Sequence, residues 1–139
     1  MIILDTNVIS ELIRPQTNTR VVTWIDDEDQ SQLYLTSISL AETLYGIERL
    51  PLGRRRQELS VYFGVLLEEK FRSRVLWFDE ESARKYAIIA TRREQIGRRM
   101  GTADAQIAAI CLANYATLAT RNIKDFEETG IKLINPWDT

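Results

Sequence analysis

Apolar residues fall in short blocks divided by polar stretches, and two periods alternate along the chain. Ile2-Ile3-Leu4, Leu33-Tyr34-Leu35-Thr36, Val75-Leu76-Trp77-Phe78, Leu118-Ala119-Thr120 and Lys132-Leu133-Ile134 are compact runs, too short for helices and suited to buried strands. Between them the apolar spacing turns to three and four. It predicts a short helix over Val8 to Ile13 and a second around Val21 to Ile25. A third, from about Leu40 to Arg49, should bury Leu40, Leu44, Tyr45 and Ile47. A long helix over Arg54 to Lys70 carries a stripe of Leu59, Phe63, Leu66 and Leu67. Asp79 is a good N-cap for a helix through about Gln95, and Thr102-Ala103-Asp104 opens a small-residue helix reaching Asn114. Pro15 excludes helix from the first long loop, and Pro51 with Gly53 marks another break. The acidic run Asp26-Asp27-Glu28-Asp29 would oppose the macrodipole at a helix C-terminus, so it is expected beyond the end of the second helix.

Strands separated by helices in this way imply right-handed βαβ units and a parallel sheet. With 139 residues, no internal repeat and no linker, the chain reads as a single α/β domain spanning residues 1–139. Its 45% hydrophobic and 27% charged residues describe an ordinary soluble protein. No apolar run approaches the roughly 18 residues of a membrane span, and the start lacks the basic segment and apolar core of a signal peptide. A cytoplasmic protein without membrane attachment is the expectation.

Composition narrows the chemistry. There is no histidine, which removes histidine-based triads, zinc sites and general bases. The one cysteine, Cys111, lies in an apolar helical run and reads as a core residue. Catalysis would have to use carboxylates, hydroxyls, lysines or arginines, and oxygen donors favour hard cations such as Mg²⁺ or Mn²⁺. The net charge of −2 gives no global basic field. Arginines nevertheless cluster locally, as at Arg54-Arg55-Arg56 and Arg98-Arg99. Arginine suits phosphate recognition, although solvated helix faces explain most such clusters.

Three acids share one kind of position. Asp5 directly follows the first strand, Glu42 lies in the first turn of the helix after the second, and Asp104 lies in the first turn of the helix before the fourth. In a parallel sheet, strand carboxyl ends and helix amino ends occupy one edge, where ligands bind. The three could therefore converge, and a divalent cation would offset their mutual repulsion and activate water against a phosphodiester. Each acid also has a plainer reading. Asp5 or Thr6 can cap the first helix, Ser39-Leu40-Ala41-Glu42 matches a capping box, and Asp104 suits a helix dipole.

The sequence resembles the PIN-domain ribonucleases, and within them the VapC-type toxins with their FitB subgroup, over essentially its whole length. The resemblance is carried by Leu4-Asp5-Thr6-Asn7, Ser39-Leu40-Ala41-Glu42 with Gly46, Thr102-Ala103-Asp104 followed by Ile107-Ala108-Ala109, Leu118-Ala119-Thr120-Arg121-Asn122 with Asp125-Phe126, and Asn135-Pro136-Trp137. It implies a PIN-like three-layer α/β/α sandwich with a mostly parallel sheet and Mg²⁺- or Mn²⁺-dependent cleavage of RNA. It further implies a homodimer, inhibition by a cognate antitoxin, and contact with operator DNA only through that antitoxin. Asp5, Glu42 and Asp104 fall on the family's acidic metal-binding positions. Thr6 and Asn7 fall on its polar motif and are expected to orient the carboxylates, with Thr120 and Asp125 as further supporting candidates. Where many members carry a fourth acid this chain has Asn122, which puts a second metal in doubt. Arg98, Arg99 and Arg121 are candidate RNA contacts. An antitoxin groove could use Trp24, Tyr62, Phe63 or Trp77, though aromatics at helical spacing are more often core.

A catalytically weak PIN-like binding module is the alternative that Asn122 keeps open. A haloacid-dehalogenase or receiver domain fits poorly, because Asn7 replaces the second aspartate of the former and Leu4 breaks the acid pair of the latter.

Overall fold

The computed structural model describes residues 1–139. Its five strands, β1 (Ile2–Leu4), β2 (Leu33–Thr36), β3 (Val75–Leu76), β4 (Thr117–Ala119) and β5 (Lys132–Ile134), form one parallel sheet in the order β3-β2-β1-β4-β5. In the middle, Ile3 pairs with Tyr34 on one side and Leu118 on the other. Because side chains alternate across a strand, Ile3 and Leu4 serve opposite layers. Leu4 packs with α1 (Thr6–Leu12), α2 (Thr19–Asp27), α3 (Ser37–Glu48) and α4 (Arg54–Lys70) through Val8, Ile9, Val21, Trp24, Ile47 and Phe63. Ile3 and Leu118 pack beneath α5 (Glu80–Gln95) and α6 (Thr102–Ala113), against Ile89 and the unbroken buried run Ile107–Cys111. The result is the expected three-layer α/β/α sandwich.

The small side chains of α6 let it lie close to the sheet and leave Cys111 fully enclosed, where burial pushes its thiol pKa far up. The turn from α5 into α6 is a Schellman motif. Gly97 takes φ +73°, the Arg98 amide donates to the Arg93 carbonyl at 2.8 Å and the Gly97 amide to the Glu94 carbonyl at 3.0 Å. That geometry sends the chain back towards the carboxyl edge, where α6 starts. No helix is long and apolar enough to cross a membrane.

Three expectations are corrected. Asp26 and Asp27 belong to α2 rather than lying past it. Both are exposed, so water screens them from the helix dipole. Only Glu28 and Asp29 lie beyond, and Asp29 caps the following 3₁₀ turn by accepting from the Ser31 amide (2.9 Å) and hydroxyl (2.7 Å). Second, α3 starts at Ser37, capped by Thr36, whose hydroxyl accepts from the Ser39 amide at 3.0 Å. Its inward stripe is Ser39, Thr43 and Ile47, which leaves Leu44 and Tyr45 exposed. Third, the edge strand β3 stops after two residues, so Trp77 stands in solvent. Of the aromatics weighed for a groove, Trp24 and Phe63 are core, whereas Tyr62 and Trp77 are exposed.

Candidate functional site

Strand β1 lies where the connectivity of the sheet reverses, between β2 and β4, and a crevice opens there beyond the strand carboxyl ends. Asp5 is the first residue past β1. Its amide donates to the Ala119 carbonyl at 2.9 Å, which continues the β1–β4 pairing, and its carboxylate caps α1 by accepting from the Thr6 amide at 2.8 Å. Asp5 therefore caps α1, as the plainer reading has it, and also lines the cleft. Its second oxygen accepts from the Thr120 hydroxyl at 2.7 Å and from the Asn7 carboxamide at 3.3 Å. The residue is 4% exposed. Burial raises the Asp5 pKa; the Thr120 hydroxyl and the Thr6 amide pull it back, while the Glu42 and Asp125 charges push it up.

Around Asp5 the short polar motif acts as a frame. The Asn7 amide group bridges Asp5 and the Thr120 hydroxyl, and its carbonyl oxygen accepts from the Arg121 amide at 3.3 Å. The Thr120 hydroxyl in turn accepts from the Asn122 amide at 3.0 Å. The loops after β1 and β4 are thus tied together on the two sides of one carboxylate.

Glu42 lies in the second turn of α3, not the first, and takes no part in a capping box, since Thr36 is the N-cap. Its carboxylate accepts from the Thr6 hydroxyl at 2.6 Å. Asp104 does lie in the first turn of α6, a position favoured by the helix dipole. Burial, followed by the charges of Asp5, Asp125 and Glu42, pushes its pKa up to about 6, with Arg93 opposing. Asp5, Glu42 and Asp104 line one cleft together with Thr6, Asn7, Arg121 and Asn122, and Trp137 is its sole apolar wall. No three acidic side chains stand in one ready-made ligand shell.

The remaining candidates divide. Thr120 is buried beneath Asp5. Asp125, on the 3₁₀ turn Ile123–Phe126, is outside the cleft lining, yet its charge reaches both Asp5 and Asp104. Arg121 places its guanidinium 5.1 Å from the centre of the Trp137 ring at the cleft wall. Arg98 instead donates to the Lys124 carbonyl at 3.0 Å, and neither it nor Arg99 lines the cleft.

Four cleft residues escaped sequence reasoning. Ser10, Glu11 and Arg14 share the cleft with Asn7, and their spacing of three and four marks the polar face of α1 and its extension. That stripe is legible in the spacing alone. The fourth, Trp137, was present only as part of a motif. Arg93 was also passed over. It is 4% exposed and donates to the carbonyls of Arg98 (2.6 Å), Asp125 (3.1 Å) and Glu127 (2.6 Å), pinning the turn that carries Asp125.

Comparison with known proteins agrees with this arrangement. The family model described as the PIN domain matches residues 2–132. The chain is 44% identical over 138 residues to the plasmid stability protein StbB of Pseudomonas syringae pv. tomato, covering 99% of each. It is 38% identical over 138 residues to the VapC ribonuclease Y4jK of Sinorhizobium fredii, again covering 99% of each. Among solved structures, that of FitAB bound to an IR36 DNA fragment superimposes with a TM-score of 0.93 at 38% identity, over 99% of this chain and 96% of the other. A parallel sheet with an acidic cleft at its switch point, matched from end to end by such relatives, belongs to the PIN-domain family, in its VapC-type branch.

Proposed function

We propose that the protein is a divalent-metal-dependent endoribonuclease that acts as the toxin of a toxin–antitoxin pair. The observation that carries this reading is the convergence of Asp5, Glu42 and Asp104 on one polar cleft, with the pKa values of Asp5 and Asp104 both raised by burial and by neighbouring acids. Oxygen-only donors bearing excess negative charge fit a hard cation. Asp5 and Asp104 would hold it, with Glu42 directly or through water. Incomplete protein ligation suits Mg²⁺, which keeps several of its waters. When bound, such an ion activates water and neutralises charge that develops on a phosphate.

The chain's own groups set up that chemistry. Thr120, Thr6 and Asn7 fix the Asp5 carboxylate in one orientation. The Thr6 hydroxyl holds Glu42 across the cleft. Arg121, laid against Trp137, offers a cation to the strand that enters. Asn122 lines the cleft with an amide where an acid would add charge, which favours a single tightly held ion. A relative named as a VapC ribonuclease and one solved as FitAB with DNA support an RNA substrate and a cognate antitoxin through which operator DNA is contacted. Cytoplasmic action as a homodimer completes the reading.

The test is incubation of purified protein with a small-RNA pool in Mg²⁺, Mn²⁺ or chelator, beside Asp104→Asn. Discrete metal-dependent cuts that vanish in the variant are expected. Cutting that survives both chelator and Asp104→Asn would overturn the proposal. With metal binding confirmed and no antitoxin present, a complete absence of cutting would do the same and favour a binding module.

A further inference from the structure

The polar face of α1 runs away from Asp5 and ends on a charge pair that the catalytic reading leaves unused. Glu11 is 5% exposed, and its buried Oε2 atom has no hydrogen-bond partner. Arg14 Nη1 stands 3.3 Å from it, and that arginine side chain remains 61% exposed. Both residues line the acidic cleft. An enclosed carboxylate with an unsatisfied oxygen is costly unless a cation accompanies it. It is also an odd wall for a groove that must admit a polyanion. The pairing resolves both points. Glu11 is paired with Arg14, and Arg14, an exposed part of the cleft wall, keeps further donors free out of the five on a planar guanidinium.

We infer that Arg14 is a phosphate-binding residue for the nucleic-acid strand in this cleft, and that Glu11 is the positioning residue that fixes it. The inference rests on the ribonuclease reading and deepens it. Arg14 lies just past the end of α1, seven residues on from Asn7, so it engages a phosphate next to the scissile one rather than the scissile phosphate itself. Arg121, whose amide is bonded to Asn7, lines the same cleft. The strand thus meets two arginines in this cleft. Arginine's fork grips a phosphate with two parallel bonds, and a guanidinium already tethered to a buried carboxylate loses less freedom when it does so.

The experiment measures equilibrium binding of a labelled 12-nucleotide single-stranded RNA in EDTA, where no cleavage occurs, over a range of salt. Loss of one phosphate contact lowers the magnitude of the slope of log K against log salt by about 0.7 for single strands. Arg14→Gln should show that change with roughly tenfold weaker binding at low salt, and Arg14→Lys should retain the wild-type slope with an intermediate affinity. Arg14→Gln leaves Glu11 unpaired, so the double variant Glu11→Gln/Arg14→Gln is measured beside it and should show the same loss of slope. Glu11→Gln alone should keep the slope but weaken binding severalfold, because the arginine is no longer held. A wild-type slope in both Arg14→Gln and the double variant overturns the assignment of Arg14. Unchanged or tighter binding by Glu11→Gln overturns the role of Glu11. If the wild-type protein binds no RNA even when Ca²⁺ replaces EDTA to neutralise the acids, the ribonuclease reading itself falls.

Discussion

The two principal aspartates of the cleft are held in opposite ways. Asp5 receives the Thr6 amide, the Thr120 hydroxyl and the Asn7 carboxamide, and its own amide extends the central sheet. Asp104 is tied down only by its place in α6, and no side-chain hydrogen bond reaches its carboxylate. Burial and the charges of Asp5, Asp125 and Glu42 push the pKa of Asp104 up to about 6, whereas at Asp5 the Thr120 hydroxyl and the Thr6 amide partly offset burial by favouring the ionised form. Asp5 is a helix cap as well as a wall of the cleft, whereas Asp104 is a charge stored at the expense of stability.

Substitutions can break this contrast. Asp5→Ala removes a cap and strands three donors, so a loss of about 3 kcal/mol is expected in urea unfolding, together with all cleavage. Thr120→Val removes one of the donors and should destabilise by about 1–2 kcal/mol. A loss as large as that of Asp5→Ala would place the stability in the loop rather than in the carboxylate.

Asp104→Asn should act in the other direction. The folded protein binds this proton more tightly than the unfolded chain, whose aspartates titrate near 4. Its stabilising contribution is therefore complete below about pH 4 and lost as pH rises through about 6. Without metal, the variant should melt a few degrees above wild type at pH 7.5, with the gap closing by pH 4.5. Mn²⁺ should raise the melting temperature of the wild type and not of the variant. Equal melting curves at both pH values would show that Asp104 carries no stored repulsion. The smallest effect is expected of Glu42→Gln, because the residue is exposed: within about 0.5 kcal/mol in stability, but with weaker Mn²⁺ binding.

The sequence made the sheet and Asp5 readable for one reason. An apolar triplet followed directly by acid, hydroxyl and amide admits few structures other than a buried strand ending at a polar edge. Phase in α3 was harder to read. Its buried stripe is Ser39, Thr43 and Ile47, and hydroxyls count as polar in any periodicity. Here Thr43 donates to the Ser39 carbonyl at 2.9 Å, which satisfies its hydroxyl internally and permits burial. The role of Glu11 was illegible because helical spacing shows which face a residue occupies, not whether an arginine three residues on will cover it. Arg93 was hidden for a similar reason. Its partners are three backbone carbonyls, which no side-chain pattern records.

The bond between Asp5 and Thr120 spans 115 residues of chain. Synthesis at about 5–20 residues per second separates the two by roughly 6–23 s. Throughout that interval β1 lacks its β4 neighbour, and Asp5 lacks the hydroxyl that orients it. A ribosome translating this message therefore carries an unfinished cleft until nearly the whole chain has been made. The carboxylate at the centre of the cleft is therefore among the last groups of this fold to find its partner.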